Sequence, residues 1–170
     1  MTRNIFQASK EFPFHISVGV VLTDEKGRIC CHFHKKENVP FESEGKSDLY
    51  MLMRETPEPG EMIEVAVMRG IKEEFGAEGV LKHYLGSIVS HFPLRTSRVL
   101  VQKTTLYFHI EKTHIDTSTR DTNDMEAKSE VLWLEPEKLI EFFTEQSKKY
   151  GRTDLDESFA IKNYMQYVGK

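Results

Sequence analysis

The sequence predicts an α/β domain built on a mixed sheet, and three observations predict it. Apolar, β-branched or aromatic runs at 15–22 (HISVGVVL), 99–110 and 130–134 (EVLWL) have strand composition. Ile63, Val67, Ile71 and Phe75 recur at four-residue steps, the stripe of an amphipathic helix. Strands and helices then alternate irregularly, which favours a mixed sheet over a purely parallel one. With 170 residues, 39% of them hydrophobic, one domain spanning 1–170 can close a core without disulfides or a structural metal.

Taken in order, 15–22 ends in the turn-forming stretch Thr23-Asp24-Glu25-Lys26-Gly27, and 28–34 (RICCHFH) resumes an extended pattern, so the two read as a hairpin. The polar stretch 35–48 reads as a loop, and 48–53 (DLYMLM) as a short strand. Thr56-Pro57-Glu58-Pro59-Gly60 forces a bend. A helix follows over 62–75, stopped by Gly76. Further strands are expected at 83–92 and 99–110, a long polar loop at 113–129, and a short strand at 130–134. Pro136 suits the first turn of a helix over about 136–146, and a last amphipathic helix is expected over 155–168, with Tyr164, Met165 and Tyr167 as packing residues.

The net charge of −4 speaks against a general nucleic-acid or membrane-surface binder, which would carry a basic stripe. Cys30 and Cys31 are neighbours whose side chains leave a strand on opposite faces, so they cannot form an ordinary disulfide and read as small core residues of a reducing compartment. The first fourteen residues contain no apolar stretch resembling a signal sequence, and no run is long enough to span a bilayer. The expectation is a cytoplasmic protein.

The chemically informative segment is 55–77, ETPEPGEMIEVAVMRGIKEEFGA. On a helix, Arg69 lies beside Glu73, and position 70 beside Glu73 and Glu74. Two carboxylates on one turn suit a hard cation such as Mg2+ or Mn2+, which prefers oxygen ligands and keeps positions open for water and phosphate. Such an ion screens phosphate charge and activates a water. The same residues also suit a plain surface ion pair worth a few tenths of a kcal/mol. His32 and His34 share a strand face, but two histidines do not make a metal site, and they read as structural or surface residues.

The segment resembles the Nudix box, G-x5-E-x7-R-E-U-x-E-E-x-G-U, where U is a bulky aliphatic. Glu61, Arg69, Ile71, Glu73, Glu74 and Gly76 occupy box positions at the right spacing, and Pro59-Gly60-Glu61 matches the usual approach to the helix. The surroundings agree over 15–143: a hairpin before the box, strands after it, and a strand with Trp133 leading into a helix opened by Glu-Pro-Glu. The resemblance implies an α/β/α sandwich around a mixed β-sheet. It also implies a Mg2+- or Mn2+-dependent hydrolase of a small nucleotide-type substrate, and an assembly that is often a homodimer. Glu73 and Glu74 would be catalytic and metal-binding, with Glu61 and Arg69 supporting them.

Three positions depart from the box. Glu55 stands where the family has its first glycine, after Arg54 where a second is usual; Ala77 replaces a larger aliphatic; and Gly70 stands where the family has a metal-binding Glu. A glycine inside a helix costs about 1 kcal/mol relative to alanine, so Gly70 asks for a reason. Close packing against that spot, drift after loss of function, and transfer of the role to another carboxylate are all open. Glu55, Asp121, Asp124 and Glu126 are the candidates for a transfer, and Arg54, Arg95, Arg98 and Lys103 are basic residues expected near the cleft. Two functions follow. One is cleavage of the pyrophosphate bond in a nucleoside diphosphate linked to another moiety, favoured by the retained Glu61, Arg69, Glu73 and Glu74. The other is a catalytically impaired module that binds a nucleotide or protein, favoured by Gly70.

Overall fold

The computed structural model describes residues 4–40, 47–94, 97–123 and 125–169. Among these residues seven strands form a mixed sheet, and three helices pack on its two faces. The strands are β1 (Phe14–Thr23), β2 (Ile29–His34), β3 (Leu49–Met51), β4 (Met53–Glu55), β5 (Ala77–Pro93), β6 (Leu100–Ile115) and β7 (Glu130–Leu134). The helices are α1 (Ile63–Phe75), α2 (Pro136–Tyr150) and α3 (Ser158–Val168). The sheet order is β3-β2-β1-β6-β5, with β4 on β1 and β7 on β2. β1 and β6 run parallel over ten residue pairs, and every other pairing is antiparallel.

Period-two alternation along β1 divides the core. Val18, Val20 and Leu22 meet Ala66, Val67, Ile71 and Phe75 of α1, whereas Val21 meets Leu139 and Phe143 of α2 and Ala160 and Ile161 of α3. Val67 and Ile71 are fully buried, each worth about 1.5–3 kcal/mol. Cys30 and Cys31 are both buried and free, one in each layer. Gly76 ends α1 at φ 65° and returns its N–H to the carbonyls of Ile71 and Lys72. A Cβ there would run into the carbonyl oxygen of Asp116, so glycine is required twice over.

Several expectations change. The β1–β2 hairpin closes only at its turn, where Thr23 faces Ile29. Beyond it the strands splay, and 49–55 fills the gap: β3 pairs β2, the chain steps across at Leu52, and β4 pairs β1. β5 begins directly after Gly76, and β6 runs on to Ile115. Both extensions are charge-rich, and they are paid for by cross-strand neighbours such as Lys82 and Glu111, 2.9 Å apart. The loop expected at 113–129 is therefore shorter and holds two 3-10 turns, Thr117–Thr119 and Met125–Lys128. α2 continues to Tyr150, where Gly151 at φ 61° stops it, and a 3-10 turn at Thr153–Leu155 precedes α3. Among the described residues no helix is long and apolar enough to cross a membrane.

Candidate active site

β4 and α1 frame the site. β4 turns Met53 and Glu55 toward α1 and sends Arg54 to the opposite face, because neighbouring strand residues alternate. The bend at 56–60 then brings Glu61 alongside the helix. Arg69 gathers the acids. Its Nε and Nη2 donate to the two oxygens of Glu61, both at 2.9 Å, and Nη2 also reaches the Thr56 carbonyl at 3.3 Å. Its Nη1 faces Glu73 Oε2 at 3.2 Å and Glu55 Oε2 at 3.3 Å. Glu61 is fixed a second time by the Glu58 N–H at 2.8 Å. The hydrogen bond from Arg69 holds the Glu61 carboxyl below its usual range, and the same bond to Glu61, with the charges of Glu55, Glu61 and Glu73, raises Arg69 further.

Glu74 behaves differently from its neighbour. Glu73 keeps 40% of its side chain exposed, whereas Glu74 keeps 3% and lies against His32, 2.7 Å from Nε2. His32 is fully buried; its Nδ1 is 2.8 Å from Ser129 Oγ, and its ring packs on Phe75 at 4.5 Å. Burial and the nearby Arg120 push the His32 pKa well down. Arg120 ties the loop to the helix by donating to the carbonyls of Glu74 (2.6 Å), Glu126 (2.7 Å) and Ser129 (3.0 Å). So the adjacent carboxylates do not share one opening: Glu73 lies at the solvent rim and Glu74 in the interior.

Gly70 is buried beneath β4. A Cβ on it would lie 2.8 Å from Sδ and Cε of Met53 and 3.0 Å from Cβ of Glu55. Close packing, one of the reasons open from sequence, is what the structure shows.

Among the other candidates, Asp121 donates its backbone N–H to the Glu73 carbonyl at 2.9 Å, but its carboxylate turns back to Asn123. Glu126 serves Arg120 through its carbonyl. Asp124 and Arg95 lie outside the described residues. The described basic candidates, Arg54, Arg98 and Lys103, do not gather at α1. Arg54 donates to the Asp154 carbonyl at 3.2 Å and pairs with Glu157 at 3.7 Å on the α3 side. Lys103 shares that face, where burial and then Arg54 lower its pKa to about 7. Arg98 is exposed in the β5–β6 turn, in left-handed conformation. Two shallow clefts, of 350 and 290 Å³, are lined by residues such as Ile88 and Phe159, or Tyr50 and Phe142, on the α2 and α3 side.

Sequence reasoning missed His32 as the partner of Glu74, and Ser129 and Arg120 behind it. The one available signal was a histidine among the apolar residues of β2; the 42-residue separation from Glu74 hid the rest.

A family model described as the NUDIX domain matches residues 13–154. The chain belongs to the Nudix family. Three solved structures share the fold over 91% of this chain. A NUDIX hydrolase from Nitrosomonas europaea is 16% identical, with TM-score 0.59 and 89% of its chain covered. The ORF135 protein of E. coli is 14% identical, with TM-score 0.55 and 91% covered. The MutT protein from Methanosarcina mazei Go1 is 21% identical, with TM-score 0.53 and 99% covered. No curated protein matches.

Proposed function

We infer that this Nudix protein cleaves the pyrophosphate bond of a nucleoside diphosphate linked to another moiety, with Mg2+ or Mn2+ as cofactor. The observation that carries the reading is the Arg69 cage: one guanidinium holds Glu61 bidentately and leans on Glu55 and Glu73 from one nitrogen. A site released from its chemistry has no reason to keep three acids around a half-buried arginine.

The donor chemistry suits the ion at the rim, since Glu55 and Glu73 offer only carboxylate oxygens to a hard cation, with Glu74 buried behind them. Among the described residues no three His, Cys, Asp or Glu side chains are gathered as a preformed metal site. Affinity for the free ion is expected to be low, with the substrate's phosphates supplying oxygens that the protein does not. When bound, the ion screens the diphosphate charge and lowers the pKa of a coordinated water. The chain's own contribution is positional: Arg69 orients Glu73 and Glu55 at the rim, Glu61 anchors Arg69, and His32 holds Glu74 from behind.

The test is a panel of nucleoside diphosphate derivatives with Mg2+ or Mn2+, read as phosphate or monophosphate release. Activity on at least one member, abolished by Glu74→Gln, supports the reading. The burial of Glu74 against His32 favours the second reading, a module that binds without turnover. No release from any member, with saturable nucleotide binding, would select it.

A further inference from the structure

Two positions of the box are exchanged in this chain: glutamate stands at 55 where the pattern has glycine, and glycine at 70 where it has glutamate. The fold brings those two positions together. β4 lays Glu55 on α1 so that a Cβ on residue 70 would be 3.0 Å from Cβ of Glu55. At that spacing a side chain on 70 fits only if strand and helix give by a few tenths of an ångström, so glycine at 70 leaves the side chain at 55 its room.

Resting on the hydrolase reading above, we propose that Glu55 is the transposed metal ligand of this site, its carboxylate supplied by β4 instead of α1. Glu55 Oε2 and Glu73 Oε2 approach the same nitrogen of Arg69, at 3.3 and 3.2 Å, so the two carboxylates face one point. Arg69 does not depend on Glu55, because Glu61 already takes two of its N–H groups at 2.9 Å. Glu55 is held by the backbone as well as by Arg69, with its Oε1 accepting the Thr56 N–H at 2.7 Å. Because Glu61 takes Nε and Nη2 of Arg69, a turn of the Glu55 carboxylate from Nη1 to a divalent ion leaves the Glu61–Arg69 pair in place. The exchange also gives Gly70 a reason: glycine in the helix leaves room for the side chain seated at 55.

The experiment is Mn2+ titration of the whole protein, followed by loss of the free-ion electron paramagnetic resonance signal, with thermal melting in parallel. Four proteins are compared: the natural chain, Glu55→Gln, Gly70→Glu and the double exchange Glu55→Gly/Gly70→Glu. The natural chain should bind Mn2+ weakly, and Glu55→Gln should bind about tenfold more weakly with little change in melting temperature, since affinity follows ligand charge. Gly70→Glu alone should melt lower, because its Cβ meets Glu55 and Met53. The double exchange should recover both melting temperature and Mn2+ affinity, because removing the Glu55 side chain relieves the 3.0 Å contact and the two nearer atoms belong to the flexible end of Met53.

Glu55→Gln binding Mn2+ as well as the natural chain would overturn the proposal while leaving the hydrolase reading intact. A double exchange that folds but binds no better than Glu55→Gln would do the same. A natural chain that takes up no Mn2+, alone or with the methylene-bridged analogue of ADP, would overturn both.

Discussion

The two faces of the sheet handle their charges in opposite ways. On the α1 face a single half-buried guanidinium, Arg69, serves Glu55, Glu61 and Glu73, so acid is in excess at a solvent-reaching rim. On the α3 face Arg54, Lys103 and His15 lie near one another beside two buried acids, Glu157 and Asp154, and burial, then the neighbouring bases, disfavours the charge of Lys103 and His15. Excess acid near water can await a cation. Base taken out of water lowers its charge by giving up protons, as the pKa values of Lys103, about 7, and His15, about 4, show, whereas Glu157 keeps Arg54 charged. One face keeps its acids near water, whereas the other ties the sheet to α3.

The largest effect should therefore come from the α3 face. Glu157 pairs with Arg54, accepts the Tyr107 hydroxyl at 2.6 Å and accepts the Leu52 N–H at 2.9 Å, all of them buried. Glu157→Leu should cost about 3–5 kcal/mol in urea unfolding, because it strands a buried cation and two donors. A loss under about 1 kcal/mol would mean that water reaches this knot and that the contrast is false.

The pH dependence comes next. The folded pKa of His15 is lowered from 6.5 to about 4, by burial first and then by Lys103 and Arg54. His109, which faces Thr23 at 2.9 Å, is lowered to about 4 by burial. The unfolded chain thus binds protons that the folded one refuses, and stability falls as pH drops from 6.5 toward 4, by on the order of 3 kcal/mol per histidine. Lys103, lowered from 10.5 to about 7, has the same sign at higher pH: stability rises with pH between 7 and 10.5. Denaturant midpoints against pH should show both slopes, and Lys103→Met should flatten the upper one.

Smaller changes are expected on the α1 face. Arg69→Gln leaves three acids together near water and should cost about 1 kcal/mol at low salt, less at high salt. Mg2+ should offset part of that loss, and a salt-independent cost would show that the cage is more buried than the geometry indicates. Glu73→Gln should change stability by no more than about 0.5 kcal/mol, because the side chain is 40% exposed. A larger drop in melting temperature would show Glu73 to be structural and would weaken its place in the site.

Much of the α1 face was legible. The four-residue stripe placed Val67 and Ile71 in the core, Gly76 marked the helix end, and the spacing of Arg69 and Glu73 put them in reach of each other, all consequences of local periodicity. The Arg54–Glu55 step was not, because strand alternation sends neighbours to opposite faces and the short β4 was not resolved from β3. Nor were the charge-rich ends of β5 and β6, since their pairing is decided by partners across the sheet.

The sequence by itself determined the family, the helix that carries the acids, and the exchange of glutamate and glycine between 55 and 70. Those are matters of residue identity and short-range spacing. Only the tertiary structure decided that 55 and 70 share one space, that Glu74 turns inward to His32 while Glu73 stays at the rim, and that Arg120 locks the distant loop to α1. Each of those contacts joins residues from separate elements, 15 to 46 positions apart in the chain. Local propensity cannot specify such neighbours, because they arise only when packed layers bring the elements together.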